Sequence, residues 1–279
     1  MSGQGRFILG TMLALASAVL ACPCAAAETL DASQRRTLLM EANALFDEAN
    51  KLAATDSEAA KDRYGKAILR FERLVREGGV RNGKLYYNLG NAYFLSGDLG
   101  RAILNYRRAE QLLPNDPNLH QNLSYVRNQR SDRITEPQKA KVLKTVFFWH
   151  YDLAARTRMA LFVSFFLTLW ACAVARLFVR HPLLHWGIAL AVVLSALLMG
   201  SLTAEAVSRA RNASGVILAD EVIARKGNGE TYQPSFNEPL HAGTEFELIE
   251  DRPGWYQIAL HDGRTSWIPG AAAELVSPN

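Results

Sequence analysis

At 279 residues the chain has room for about two domains, and 21% charged with 9% aromatic residues excludes a chain disordered throughout. The formal net charge of +4 is unevenly placed: residues 28–158 carry 22 Lys/Arg against 16 Asp/Glu, whereas residues 215–277 carry 4 against 10. A basic half and an acidic half suit different partners or one another, unless the split is chance.

The N-terminus comes first. Arg6 precedes an apolar run over residues 7–21, and Ala25-Ala26-Ala27 and Glu28 come after it. A charged start, an apolar core and an A-x-A site make residues 1–27 a secretory signal. Val19-Leu20-Ala21-Cys22 is similar to a lipoprotein processing site, which would leave Cys22 as a lipidated N-terminus. Cleavage after Ala27, lipidation at Cys22 and retention as an anchor stay open, and all three export the chain beyond the signal. The cysteines are Cys22, Cys24 and Cys172, all in or beside apolar runs. The soluble regions therefore have no disulfide framework, thiolate metal site or cysteine nucleophile.

Residues 28–130 read as helices. Leu38, Leu39, Ala42, Leu45, Phe46, Ala49 and Leu52 mark one helix face over 38–54. Residues 59–77 repeat the pattern through Tyr64, Ala67, Ile68, Phe71, Leu74 and Val75, and Gly78-Gly79 closes the segment. Then Tyr86, Leu89, Gly90, Tyr93, Ala102, Tyr106, Ala109 and Pro114 occur at spacings that resemble the tetratricopeptide repeat, with Gly83 as the first of its 34 positions. Gly90 and Ala102 would let two helices approach closely, the aromatics would fill the gaps beside them, and Pro114 would stop the second helix. A degenerate unit upstream keeps Ala67 and Phe71, with 54–62 reading as an insertion. Asp116 and Pro117 open a further helix whose Leu119, Leu123 and Val126 would seal the array.

The resemblance implies a binding scaffold with a groove lined by first helices. Lys84, Tyr87, Asn88, Asn91 and Leu95 are its candidate partner-binding residues. Asn88 and Asn91 carry carboxamides able to clamp a peptide backbone or a C-terminal carboxylate, or they are merely solvated. Tyr87 lies about 100° round the helix from the core position Tyr86, so it is expected to turn away from that contact.

Arg127, Arg130, Arg133, Lys139, Lys141 and Lys144 lead into Phe147, Phe148, Trp149 and Tyr151, so 131–158 reads as a basic and aromatic juxtamembrane linker. Residues 159–179 and 183–204 are nearly free of charge, and each is long enough for a hydrocarbon core of about 30 Å. Arg176 would snorkel, and Pro182 breaks the helix between the two spans. A transmembrane hairpin returns the chain to the side it left, and the signal then puts both soluble regions outside the cytoplasm.

After Ala213-Ser214 the pattern changes to short strands over 216–223, 245–249, 255–260 and 265–268. Gly243, Pro253-Gly254 and Asp262-Gly263 punctuate them, the last as a hairpin signal. So many short strands in a small region suggest a small barrel. Leu240-His-Ala-Gly-Thr244, Gly254-Trp255-Tyr256 and Asp262-Gly263-Arg264-Thr265-Ser266-Trp267-Ile268-Pro269 resemble a bacterial SH3-type domain over 215–277. The chain departs from that pattern at Ser266, where Gly is usual, and in a longer loop at 234–239. Trp255 is expected in the core. Trp267 is placed either in the core or on a peptide groove, and so joins the candidate partner-binding residues. Glu245, Glu247, Glu250 and Asp251 read as a solvated strand face.

No H-E-x-x-H, phosphate loop or G-x-S-x-G is present, so the chain reads as non-enzymatic, with no cofactor or metal. The expected fold is a multidomain membrane protein: an α-helical tetratricopeptide repeat array, a transmembrane helical hairpin and a small all-β SH3-like barrel. This order resembles BatE-type proteins of bacterial aerotolerance operons. The resemblance implies a bacterial inner-membrane scaffold with both soluble domains in the periplasm. It implies von Willebrand factor A-type membrane partners and, indirectly, a MoxR-type ATPase, in oxidative-stress tolerance or envelope integrity. The rival reading is an anchor that binds peptidoglycan through the SH3-type domain, although an acidic domain suits an anionic polymer poorly. Nucleic acid is not an expected partner.

Overall fold

The computed structural model describes residues 30–132, 155–179, 181–211 and 213–276, together with 149 and 153. The expected signal over 1–27 and most of the linker over 131–158 lie outside the described residues.

Among the described residues five helices come first: α1 (Ala32–Leu52), α2 (Ser57–Arg76), α3 (Gly83–Ser96), α4 (Leu99–Leu112) and α5 (Pro117–Asn128). Asp31, Asp56, Asn82, Asp98 and Asp116 cap them, each side chain accepting from N–H groups that the first turn leaves unpaired. α1 starts at Ala32, ahead of its apolar periodicity, because Asp31 and Gln34 form a capping box. The stretch 54–62 forms the turn after α1 and the first turns of α2, fixed where Asp56 accepts from the Ala59 N–H at 3.0 Å. α3 ends at Gly97, whose φ of +98° is left-handed, and the Gly97 and Asp98 N–H groups bond back to Phe94 and Tyr93.

Ala67, Phe71, Tyr86, Leu89, Tyr93, Ala102, Tyr106 and Ala109 fall in one buried cluster, with Leu119, Leu123 and Val126 of α5 at its end. Gly90 is required by packing: a Cβ there would meet the Tyr106 ring at 2.7 Å.

α6 (Ala155–Phe178) and α7 (Pro182–Arg211) pack together as a hairpin, and both are long and apolar enough to cross a membrane. α6 has 24 residues, a rise of about 36 Å. α7 has 30 and continues past 204, where the uncharged run stops. At its start α6 buries Arg158, 3% exposed, which donates to Ser201 Oγ at 2.6 Å and to the Glu205 carboxylate.

The last part is β1 (Ser214–Ile217), β2 (Glu221–Val222), β3 (Leu240–His241), β4 (Glu245–Arg252), β5 (Trp255–Ala259), β6 (Thr265–Pro269) and β7 (Ala273–Leu275). An antiparallel sheet runs β6-β5-β4-β1-β7, and β2-β3 form a separate ribbon. The single strand expected over 216–223 is two, because the Leu218 and Ala219 N–H groups both turn to the Ala272 carbonyl. No closed barrel is found among the described residues. β6 and β7 are the two edges of the sheet, and Arg225 exchanges two 2.8 Å backbone bonds with Trp267 on the β6 side. Trp255 is half-buried and lies outside the cluster of Ile217, Val222, Phe246, Ile258 and Ile268, contrary to its expected core position.

Candidate protein-interaction site

α1, α3, α4 and α5 enclose a cleft of about 340 Å³ lined by Phe46, Asn91, Phe94, Leu95, Tyr106, Asn122, Tyr125 and Val126. None of these side chains is charged at neutral pH. Asn91 Oδ1 accepts from the Tyr106 hydroxyl at 2.6 Å and from Asn122 Nδ2 at 3.1 Å. Asn122 Nδ2 also donates to the Tyr87 hydroxyl at 2.9 Å. Burial, with Tyr87 beside it, pushes the Tyr106 phenol well above its ordinary range, so Tyr106 acts here as a donor. Phe94 and Tyr125 meet edge to face at 5.8 Å, with Tyr125 still 56% exposed. Aromatic walls and two carboxamides suit an uncharged peptide segment: apolar side chains against the rings, backbone amides on Asn91 and Asn122.

The predicted residues divide. Asn91 and Leu95 line the cleft. Lys84 is exposed at the start of α3, and Asn88 is half-buried, both outside the lining. Tyr87 does not turn to solvent: its ring lies 6.0 Å from Tyr106 and its hydroxyl is held by Asn122. The 100° rotation away from Tyr86 points it at α4 and α5, which pack there. Trp267 is 8% exposed, with the Arg252 guanidinium 5.0 Å over its ring, so it offers no open groove. Phe46, Phe94, Asn122 and Tyr125 were not anticipated. Reading α5 as another first helix would have flagged Asn122 and Tyr125, one turn apart on its face.

A second assembled feature is the seam between the helices and the sheet. Arg127 grips Glu245 with two bonds, at 2.8 and 2.7 Å, while Arg130 and Arg107 each approach it at 3.2 Å. Glu245 is 5% exposed, so it is not part of a solvated strand face. Burial alone would raise its pKa, but the Arg127 hydrogen bonds and the three guanidinium charges outweigh burial and hold it below the ordinary carboxylate value. Arg108 donates to Glu274 and to the Leu275 and Val276 carbonyls, which engages the β7 edge. Asp132 accepts from the His241 N–H and ring Nδ1, both at 2.7 Å, and from Thr244 Oγ1 at 2.6 Å. Val216 and Val276 belong to the same buried cluster as the helices. At Gly100 a Cβ would come within 3.0 Å of the Ile217 carbonyl oxygen, and at Gly243 within 2.9 Å of the Ile103 side chain, so the seam closes backbone to backbone at the first and backbone to side chain at the second.

A scan of family profiles matches the TPR repeat over residues 90–128, which takes in the second half of α3, α4 and α5. This is the part of the chain that builds most of the cleft and the helical side of the seam. A search of curated proteins gives no match. TPR repeats present binding surfaces to protein partners, so the helical region reads as an interaction scaffold.

Proposed function

We propose that the chain is a non-enzymatic, membrane-tethered scaffold that recognises a protein partner in the α1–α3–α5 cleft. The cleft itself carries the reading, with its uncharged aromatic walls around Asn91 and Asn122. The seam supports a hairpin topology, because the segments before α6 and after α7 interlock and so belong on one side of a membrane. With an exported start, that side is the periplasm and the membrane is the bacterial inner membrane. The BatE resemblance names von Willebrand factor A-type membrane proteins as partners, with a MoxR-type ATPase acting indirectly. Alkaline phosphatase fused after Asn128 or after Asn279 should be active, and within 176–182 inactive; one active and one inactive terminal fusion would remove the hairpin. A photocrosslinking residue at Tyr125 should capture a membrane protein that the same probe at Ile223, on the β2 surface, does not. Retention on purified sacculi without any crosslink from Tyr125 would favour the peptidoglycan-anchor reading instead.

A further inference from the structure

The two asparagines of the α1–α3–α5 cleft are each half spent, and they leave opposite groups over. Asn91 Oδ1 already accepts from Tyr106 and from Asn122, while its Nδ2 has no partner among the described residues. Asn122 Nδ2 already donates to Asn91 and to Tyr87, while its Oδ1 has none there. The fully buried side-chain atoms without a partner among the described residues are Asn105 Oδ1, Ser195 Oγ and Ser266 Oγ. Asn91 Nδ2 and Asn122 Oδ1 are not among them, and both residues line the cleft, so both atoms reach its surface. Tyr106 donates its phenol proton, which holds the Asn91 oxygen against it and leaves the Asn91 nitrogen for the cleft.

The cleft therefore displays one neutral N–H donor and one neutral acceptor, with no charged side chain in its lining. A carboxylate only accepts, so a partner's C-terminus would pair with Asn91 and set its charge against Asn122 Oδ1. An ammonium only donates, so an N-terminus would pair with Asn122 and face the Asn91 N–H. Either end would lose water among Phe46, Phe94 and Tyr125 without meeting a counter-charge. A residue inside a chain brings both groups without charge, because in an extended backbone its N–H and C=O point to one side. A carboxamide side chain brings the same pair, but the cleft's 340 Å³ would hold about eleven waters at about 30 Å³ each. That is room for several residues rather than one amide.

We propose, resting on the reading of the cleft as a partner site, that its occupant is an extended, uncharged segment from the interior of a partner's chain. One residue of the segment places its C=O on Asn91 Nδ2 and its N–H on Asn122 Oδ1. Its apolar neighbours lie against Phe46, Phe94 and Tyr125, and neither terminus of the partner enters. The test is a photocrosslinking residue at Tyr125 of the full chain in its membrane, with the attachment point on the captured partner located by tandem mass spectrometry. Attachment is expected inside the partner's chain, with no charged residue within two positions of it. Asn91→Asp keeps the oxygen that accepts from Tyr106 and Asn122 but replaces the N–H donor with a second oxygen. Capture should fall about tenfold in that variant. The attachment point needs no variant and decides the matter even where Asn91→Asp misfolds. Attachment at a chain end, beside a charged residue, or on lipid or glycan would overturn the inference and leave the cleft as a binding site. Unchanged capture in Asn91→Asp would do the same. No capture at all from Tyr125 would remove the partner site itself, and this inference with it.

Discussion

Replacing Glu245 with alanine should open the seam between the helices and the sheet. The carboxylate is 5% exposed and meets three guanidinium groups. Without it, Arg107 still has Glu110, and Arg130 still donates to the Arg127 carbonyl at 3.0 Å, but Arg127 loses both of its bonds to Glu245. Breaking a buried pair on one side costs about 3–5 kcal/mol, because the remaining charge is stranded. The Arg127 side chain is 32% exposed, so water reaches it in part and the low end, about 3 kcal/mol, is expected. That is a large share of a stability of about 5–15 kcal/mol. Hydrogen exchange with mass spectrometry on the full chain reads α5, β1 and β4 separately. Protection at β1 and β4 should fall about a hundredfold, the equivalent of about 3 kcal/mol. A loss below about threefold would refute the clamp. The seam should also respond to pH. Glu245 and Asp132 are held below their ordinary values of 4.5 and 3.8, so their contribution is present above those values and is lost as pH falls through the lowered ones. His241 is raised above its ordinary 6.5, chiefly by its bond to Asp132, so its contribution is complete below 6.5 and is lost as pH rises through the raised value. Docking should therefore be tightest between about pH 4.5 and 6.5, with protection at β1 declining on both sides.

Three further changes test the packing. Gly90→Leu drives a side chain into the Tyr106 ring, and overpacking should cost about 1–3 kcal/mol, read as a lower melting temperature of the full chain. Asn91→Ala removes the acceptor of the buried Tyr106 hydroxyl and should cost about 1–3 kcal/mol, whereas Lys84→Ala, exposed at the start of α3, should stay within about 0.5 kcal/mol in the same melt. Gly243→Val places a branched side chain at φ +87° against Ile103 and should reduce protection at β1 while leaving α1 unchanged.

Much of the helical region was legible because its rules are local. Capping side chains, a 3.6-residue period and the Gly90–Tyr106 approach are each readable from a few positions. The sheet was less so. Strand runs marked most of its residues, but an edge bridge at Arg225 and a bend at Leu218–Ala219 depend on partners far away in the chain. Glu245 shows the same limit: by alternation it looks solvent-facing, and only the arrival of Arg107, Arg127 and Arg130 makes its burial tolerable. Tyr87 shows a related limit. Its angle from Tyr86 is a local property of the helix, whereas the presence of α4 and α5 in that direction is not.

The charge asymmetry then acquires a physical meaning. Four arginines of α4, α5 and the residues after α5 engage acceptors on β4 and β7, and Asp132 engages the stretch that holds His241 and Thr244. The basic and acidic halves are therefore partners of one another along this seam. β1 begins three residues after α7 ends, so the seam ties the chain that leaves the hairpin to the helices that precede it in sequence. Seam and cleft also use different residues of the same helices. On α5, Asn122, Tyr125 and Val126 line the cleft, while Arg127 faces the sheet; on α4, Tyr106 does the first and Arg107 and Arg108 the second. A partner in the cleft need not displace the sheet. Through α4 and α5 it would instead bear on the sheet whose first strand follows α7.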